Sequence, residues 1–368
     1  MRIEVTPTLS LPRLREKTLR TNGSIDGESD WSPKQLGVVV IGRNEGQRLV
    51  TCLRSVSETK AVVYVDSKSI DDSVKTASDM GADVVELDLS IPFTAARARN
   101  AGFDRLLKKE PHVRYVQFVD GDCELIPQWT TDAVLFLESR PTIAAVCGRL
   151  RERYPDRSIY NWLCDKEWDR PIGEVRSCAG NVMMRVKALK AAGGYREDVI
   201  AAEEDELCVR LRKANWKIWR LADEMAIHDA AMVHFGQWWR RACRAGYAFA
   251  QGHYLHGAPP ERHFRRETWR ALIWGLGLPL GGIAATAVAP SIGWTILLVY
   301  PLQLARLTVN NRGTISTRLR LACFQLLARF PEALGLAMFW RDRLLNRRPY
   351  IIEHKQIAKS GIHDQHLW

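Results

Sequence analysis

Residues 115–122 read YVQFVDGD, a mostly apolar run that passes directly into two aspartates separated by one glycine. Short apolar runs of this kind, bounded by turn residues, are typical of buried strands. Three similar runs come before it, at 36–41, 61–65 and 84–87, and helical apolar patterns separate them. This alternation predicts an α/β fold in which helices cover a parallel sheet.

Polar residues follow three of these four strands. Asn44 comes after the first strand, Asp66 after the second, and Asp120 and Asp122 after the fourth. Ligands of such sheets bind at the carboxyl ends of the strands, so these side chains are expected to converge on one site. Hard divalent cations prefer carboxylate oxygens, and such a cation would offset the charge of a nucleotide diphosphate. The alternative is a plain surface turn, because Asp and Gly are common turn residues.

The composition narrows the class of partner. A formal net charge of +11 and a pI near 9.4 point to nucleic acid, an anionic membrane surface or phosphorylated substrates. The 8 cysteines include no Cys-x-x-Cys pair and no Cys/His zinc spacing, which favours small buried thiols in a reducing compartment.

The two ends of the chain differ in character. Residues 1–33 carry prolines and glycines among polar residues and are predicted to form a flexible arm. By contrast, 271–305 contains no Asp, Glu, Lys, Arg or His and is long enough to enter a bilayer. Its prolines predict a kinked pair of helices or a re-entrant hairpin that breaks near Ala289-Pro290.

A second apolar stretch at 321–340 and arginines on every flank predict a hydrophobic, helical, membrane-associated region over 251–350, followed by a tail at 351–368. Basic flanks favour the cytoplasmic side, so we expect a cell-membrane protein with a cytoplasmic catalytic domain. This accounts for the net charge without nucleic acid. A hydrophobic helical subdomain buried in protein is the alternative.

Seven short motifs lie at residues 39–45, 65–71, 98–102, 120–122, 179–181, 193–195 and 204–207. In this order they resemble the family 2 glycosyltransferases, which are inverting enzymes with the GT-A fold. The resemblance covers roughly 36–250 and implies a Rossmann-like, mostly parallel sheet flanked by helices. It divides a domain at 34–250 into a nucleotide-binding half, 34–125, and an acceptor half, 126–250.

The resemblance also implies roles for residues that would bind a nucleotide-sugar donor. Asn44 and Glu45 would lie near the base, and Asp66 would bind the edge of the base. Arg99, or Arg97 on an adjacent helical face, would pair with the nucleotide. The turn after the second strand has Ser67 and Lys68 where the family more often has Asp and Gly, which leaves Asp66 as the acid next to the strand end.

Metal binding and ribose binding would be divided between the two aspartates. In the family pattern Asp120 would bind the ribose and Asp122 would bind Mg²⁺ or Mn²⁺. His228 is a candidate for a further metal ligand or a phosphate contact, although a satisfied, partly buried histidine is an equally simple interpretation.

The acids at 203–206 would contribute the general base of an inverting transfer. The resemblance assigns this role to Asp205, with Glu204 as second candidate, because a carboxylate can accept the proton of an attacking hydroxyl. A run of acids also suits the first turn of a helix, whose dipole favours negative charge.

Trp239 and Arg240 lie in a segment, 237–241, that resembles the Gln-x-x-Arg-Trp motif of processive family members with its order altered. A stacking Trp and an Arg could hold a sugar ring or a pyrophosphate. A helix resting at a membrane interface explains the same residues.

Together these features predict a metal-dependent, inverting transfer of a sugar from a nucleotide-sugar to a lipid-linked or saccharide hydroxyl, with a role in polysaccharide biosynthesis. Two alternatives remain open. One is a membrane-bound scaffold that binds a nucleotide or polyanion without catalysis. The other is a nucleotidyltransferase, which would need a glycine-rich phosphate loop with a lysine, and residues 42–45 do not supply one.

Overall fold

The computed structural model describes residues 32–88 and 90–347. Apart from residues 32 and 33, the predicted arm lies outside the described residues, as does the predicted tail at 351–368. Nine strands form one sheet. They are β1 Leu36–Gly42, β2 Ala61–Asp66, β3 Asp83–Glu86, β4 Tyr115–Asp120, β5 Cys123–Leu125, β6 Ile143–Glu152, β7 Gly173–Val175, β8 Val182–Arg185 and β9 Lys217–His228.

The α-helices connect these strands and then continue alone to the end of the described chain. They are α1 Gln47–Ser55, α2 Ser73–Asp79, α3 Ala95–Lys109, α4 Trp129–Glu138, α5 Ile159–Glu167, α6 Val186–Ala191, α7 Glu203–Lys213, α8 Phe235–His256, α9 Arg265–Leu272, α10 Leu278–Val288, α11 Pro290–Leu297, α12 Val299–Asn310, α13 Ile315–Leu327 and α14 Arg329–Leu344.

The predicted parallel sheet corresponds to the first half of the observed one. The strand order is β3-β2-β1-β4-β8-β6-β9-β5, and β1, β2, β3 and β4 pair in parallel. The middle of β1 is fully buried, as expected for a strand covered on both faces. A Cβ on Gly102 of α3 would collide with Val39 and Val65, so glycine allows this helix to pack closely on β1 and β2.

Antiparallel pairing enters in the second half of the sheet. Strand β8 runs antiparallel to both β4 and β6, whereas β9 runs parallel to β6. The long β9 also pairs antiparallel with β5 and with β7. The pairing with β5 sets Cys123 opposite His228, so the end of β9 comes back to the Asp120-Gly121-Asp122 turn.

The C-terminal region contains three helices that are long and apolar enough to cross a membrane, Arg265–Val288, Pro290–Asn310 and Ile315–Leu344. The first two form a hairpin around Ala289, where the predicted break occurs. The Tyr300 hydroxyl donates to the Trp274 carbonyl at 2.5 Å, and the two rings lie 5.7 Å apart. Most of the apolar side chains of this hairpin are exposed.

Glycines allow the third long helix to pack closely against α8. A Cβ on Gly246 of α8 would collide with the backbone of Glu332 in α14, and a Cβ on Gly335 would collide with the Cys243 carbonyl. Tyr247, Leu336 and Phe339 fill a buried cluster beside this contact. Close backbone packing therefore joins α8 to the apolar helices.

Candidate active site

The carboxyl ends of β1, β2 and β4 meet at one edge of the sheet, as predicted. In the register of the parallel strands, Gly42 lies opposite Asp66 and Ile41 lies opposite Asp120. Asn44, with φ 54°, joins two of the loops, because its N–H donates to Ser69 Oγ at 2.8 Å and its Oδ1 accepts from the Ile70 N–H at 2.8 Å. Glu45 is buried beside this loop and pairs with Arg48 at 2.8 Å.

Asp66 is 1% exposed and uses both carboxylate oxygens inside the protein. Its Oδ1 accepts from the Tyr64 hydroxyl at 2.9 Å and from Ser69 Oγ at 2.5 Å, and its Oδ2 accepts from the Ser69 N–H at 2.7 Å. Asp66 therefore holds the turn after β2 in shape. The prediction that it binds the edge of a base stays a prediction.

Arg97 and Arg99 have different environments, although both lie in the first turns of α3. The Arg97 guanidinium donates to three backbone carbonyls of the loop before the helix, those of Asp88, Ile91 and Pro92, at 2.7–3.0 Å. Arg97 thus organises that loop.

Arg99 is 2% exposed and contacts three carboxylates. Its Nη2 lies 3.0 Å from Asp120 Oδ1, while its Nη1 lies 2.6 Å from Glu203 Oε1 and 3.2 Å from Glu204 Oε1. The Arg99 guanidinium also lies 5.6 Å from the centre of the Tyr195 ring. One guanidinium thus ties the predicted ribose-binding aspartate to the acids of α7.

The backbone of Asp120 is fixed by Asn181, a residue distant from it in sequence. The Asp120 N–H donates to Asn181 Oδ1 at 3.0 Å, and Asn181 Nδ2 donates to Cys123 Sγ at 3.3 Å. The adjacent Gly180 has no room for a side chain, because a Cβ would collide with Arg99 Nη2 and would lie 2.9 Å from Glu204 Oε1. Glycine at this position therefore leaves the space in which Arg99 contacts Asp120 and Glu204.

Asp122 and His228 form the candidate metal centre. The Asp122 side chain is 1% exposed, and its Oδ2 lies 3.0 Å from His228 Nε2. Atoms of Asp122, Cys123 and His228 capable of binding a metal lie within 4.8 Å of one another. A carboxylate and an imidazole suit Mn²⁺, and Mg²⁺ would use mainly the carboxylate. The Trp168 ring lies 4.7 Å from the imidazole and covers one side of it.

The two candidate bases sit in the first turn of α7. Burial and the neighbouring Glu203 raise the pKa of Glu204 to about 8, against the opposing effect of Arg99. Burial also raises the pKa of Asp205, although a hydrogen bond from Ser177 and the charge of Arg170 act in the other direction. Both carboxylates are therefore stronger bases than an exposed acid.

The segment 237–241 lies in the first turns of α8, and part of it stabilises the start of that helix. Gln237 accepts from the N–H groups of Val233 and His234 at 2.8 and 2.9 Å, which caps the helix. Trp239 packs against the buried cluster around Trp238, whereas Arg240 is exposed. The prediction that Trp239 and Arg240 hold a sugar or a pyrophosphate stays untested by this arrangement.

Sequence reasoning assigned no role to three residues that the structure places at the site. These are Asn181, which fixes Asp120, Glu203, which pairs with Arg99, and Trp168, which covers His228. Asn181 stands in one of the motifs, so its position was a signal. The tryptophan-rich charged stretch around Trp168 offered only a weak one.

Comparison with known proteins gives a family match over part of the chain and solved structures that are similar to it. Residues 37–191 match the model of glycosyl transferase family 2. A mannosyltransferase from Pyrobaculum calidifontis, solved with GDP-Man and Mn²⁺, is 21% identical with a TM-score of 0.55, over 84% of this chain and 91% of that one. TarS from S. aureus is 14% identical with a TM-score of 0.43, over 84% of this chain and 55% of that one. Glucosyl-3-phosphoglycerate synthase from Mycobacterium tuberculosis is 18% identical with a TM-score of 0.44, over 63% of this chain and 87% of that one.

The predicted fold is confirmed, and residues 37–191 match the predicted family. The family match covers nearly all of the predicted nucleotide-binding half and includes the Gly180-Asn181 segment, and it ends before Glu204 and Asp205. Taken together with the parallel strands and the aspartate turn, these matches show that the chain is a glycosyltransferase with the GT-A fold, whose residues 37–191 match family 2.

Proposed function

We propose that this glycosyltransferase carries out a metal-dependent, inverting transfer from a nucleotide-sugar to the hydroxyl of a lipid-linked or saccharide acceptor, at the cytoplasmic face of a membrane. The observation that carries the proposal is the pairing of Asp122 with His228 at 3.0 Å, beside an Asp120 that Arg99 and Asn181 hold in place. This arrangement supports one place for a metal and another for a ribose.

The donor side of the proposal divides the work between the two aspartates. Asp122, with His228, would hold Mn²⁺ or Mg²⁺, which supplies positive charge for the departing nucleoside diphosphate. Asp120 keeps one carboxylate oxygen on Arg99 and, with a third of its side chain exposed, has the other oxygen for a ribose hydroxyl. Asn44 and Glu45 would lie near the base.

The acceptor side needs one proton acceptor. In the transfer, the acceptor oxygen forms a bond to the anomeric carbon, the bond from that carbon to the phosphate oxygen breaks, and the hydroxyl proton passes to a carboxylate. Asp205 is our first candidate for that carboxylate and Glu204 the second. Their raised pKa values favour proton uptake as the new bond forms.

The proposed membrane location rests on the C-terminal helices. In two of the three long apolar helices, the most apolar stretch lies almost entirely outside the protein interior. Only 11% of it is buried in Arg265–Val288 and 6% in Pro290–Asn310. Exposed apolar area on this scale marks an interaction surface, and a bilayer matches the helix lengths. Since α14 packs on α8, the site would work close to that surface.

The test is a panel of UDP-, GDP- and TDP-sugars, scored as shifts in melting temperature with and without Mn²⁺. One nucleotide-sugar is expected to stabilise the protein only with metal, and Asp122→Ala should abolish that shift. Asp205→Asn should keep donor binding and lose transfer, with Glu204→Gln as the parallel variant. If no nucleotide-sugar shifts the melting temperature of the wild type, the proposal is wrong.

A further inference from the structure

A cavity of about 320 Å³ lies apart from the candidate active site, between α8, the end of α14 and the loop at 196–198. It contains none of the residues assigned to the sugar donor or to the base. Its size is at the lower end of the range of about 300–1,000 Å³ that small-molecule sites occupy. Arg196, Arg343 and Arg347 line it together with Asp198 and Asp342, so the charged groups leave one positive charge in excess.

Two buried oxygens of this cavity require hydrogen-bond donors. Gln251 is 7% exposed, and its Nε2 donates to the Asp198 carbonyl at 2.8 Å. Within 32–88 and 90–347, no group hydrogen-bonds to Gln251 Oε1. Asp342 is 2% exposed, and its Oδ1 accepts from Arg341, but its Oδ2 has no donor among the same residues. A buried acceptor without a donor is costly, which favours a ligand that brings one.

The rim of the cavity has the composition of a membrane interface. The half-exposed rings of Tyr254 and Trp340 pack edge to face, with their centres 6.1 Å apart, and Arg343 lies over the Tyr254 ring at 4.9 Å. Leu344 and Leu345 are exposed directly beside it. Tyr and Trp favour the depth of lipid headgroups, and leucines favour the acyl chains.

We infer that this cavity binds the phosphodiester headgroup of a membrane glycerophospholipid, one whose terminal hydroxyl or ammonium donates to Gln251 and Asp342. The arginines match one phosphate charge, the two buried oxygens match a donor beyond it, and the adjacent leucines match the lipid tails. The inference rests on the proposed membrane association but not on the proposed sugar transfer.

The experiment measures binding of dioleoyl phosphatidylglycerol to the full chain in neutral detergent, with phosphatidylcholine as the lipid that has no headgroup donor. At least roughly tenfold preference for phosphatidylglycerol is expected, and Arg343→Gln should reduce that affinity by a similar factor. Arg347→Gln is a second variant, since its exposed side chain makes a folding defect less of a concern. Arg320→Gln removes the same charge from an exposed position on α13 and should leave the affinity unchanged.

Three outcomes would overturn the inference. Equal binding of both lipids would remove the role of the headgroup donor. Equal losses in Arg320→Gln and Arg343→Gln would show that unspecific charge attracts the lipid. Soluble glycerophosphoglycerol binding as tightly as the lipid would identify a small soluble ligand in place of a membrane. Because no sugar donor is present, each outcome is independent of whether the proposed transfer reaction is correct.

Discussion

Arg99 Nη1 lies 2.6 Å from Glu203 Oε1, although 104 positions separate the two residues in sequence. The same guanidinium reaches Asp120 Oδ1 at 3.0 Å through its Nη2. Asp120, for which we propose ribose binding, and the acids of α7 therefore share one buried cation. A planar fork with several donors can hold these positions at once, which a lysine could not.

We expect Arg99→Met to lower the melting temperature by roughly 10 °C, because removing one partner of a buried ion pair costs about 3–5 kcal/mol. The control is Arg105→Met, on the same helix, which breaks an exposed pair with Asp83 at 2.6 Å and should cost less than about 1 kcal/mol. Differential scanning fluorimetry of both variants provides the comparison. Equal losses would show that the Arg99 network contributes little to stability.

Gly180→Ala should lower transfer activity by at least about tenfold while the chain still folds. The added methyl would push aside Arg99 Nη2 and crowd Glu204 Oε1, and such overpacking costs roughly 1–3 kcal/mol. Gly236→Ala is the matched control, since its Cβ would meet Arg240 Nη1 at an ordinary 3.5 Å. The measurement is the steady-state rate with the donor found by the nucleotide-sugar panel. Unchanged activity in Gly180→Ala would mean that the network tolerates displacement.

His228→Ala should raise the Mn²⁺ concentration for half-maximal activity by roughly 10–100-fold, because the imidazole 3.0 Å from Asp122 is lost from the metal centre. Exposed His112 offers the same substitution far from the cluster, and His112→Ala should leave the Mn²⁺ requirement unchanged. A metal titration at saturating donor measures both. An unaltered titration for His228→Ala would remove this residue from the metal centre and leave Asp122 alone there.

The pH dependence of stability should separate Glu204 from its neighbour Glu206. The pKa of Glu204 is raised from 4.5 to about 8, so the folded state favours the proton, and stability falls as the pH rises between those values. Glu204→Gln removes that loss. The difference in melting temperature, variant minus wild type, should therefore grow by roughly 2–4 °C, or about 1 kcal/mol, between about pH 5 and about pH 8.

Glu206 should behave in the opposite way. Burial alone would raise its pKa, but hydrogen bonds from Arg210 and His256 hold the pKa below 4.5. Its contribution is thus present above that pH and is lost only as the pH falls further, so Glu206→Gln should destabilise the protein at both pH values. A Glu204→Gln curve parallel to that of Glu206→Gln would show that burial does not dominate at Glu204.

Gly246→Leu should detach α14 from α8, because the side chain would occupy the space of the Glu332 backbone. Gly281→Leu is the control, since a Cβ there meets no heavy atom within 4 Å. We expect Gly246→Leu to increase protease cleavage between α8 and α14 and to lower the melting temperature by about 5 °C or more. Equal protease resistance in both variants would show that the glycine contact is dispensable.

The parallel sheet and the place of Asp120 and Asp122 just past its fourth strand could be predicted from local patterns. Apolar runs, turn residues and helical periodicity depend on neighbours in sequence, and parallel strands bring their carboxyl ends to one edge. The same local logic located the apolar C-terminal helices and the break at Ala289-Pro290. The family resemblance selected Arg99, Glu204 and Asp205, but it did not predict that Arg99 contacts Glu203 and Glu204.

Those contacts depend on pairings between distant segments, which a single sequence does not specify. Strand β8, antiparallel to β4, brings Asn181 to Asp120, and strand β9, antiparallel to β5, brings His228 to Asp122; only their register sets these distances. The packing of these side chains then determines which of their polar atoms bond within the protein. Asp66 and Arg97, both predicted to bind the nucleotide, use their polar atoms on the protein itself, whereas Arg99 becomes the shared counter-ion of three carboxylates. Local patterns thus determined which strand ends and polar residues meet at the sheet edge. Tertiary packing alone decided which of their polar atoms are already bonded within the protein and which are available to a ligand.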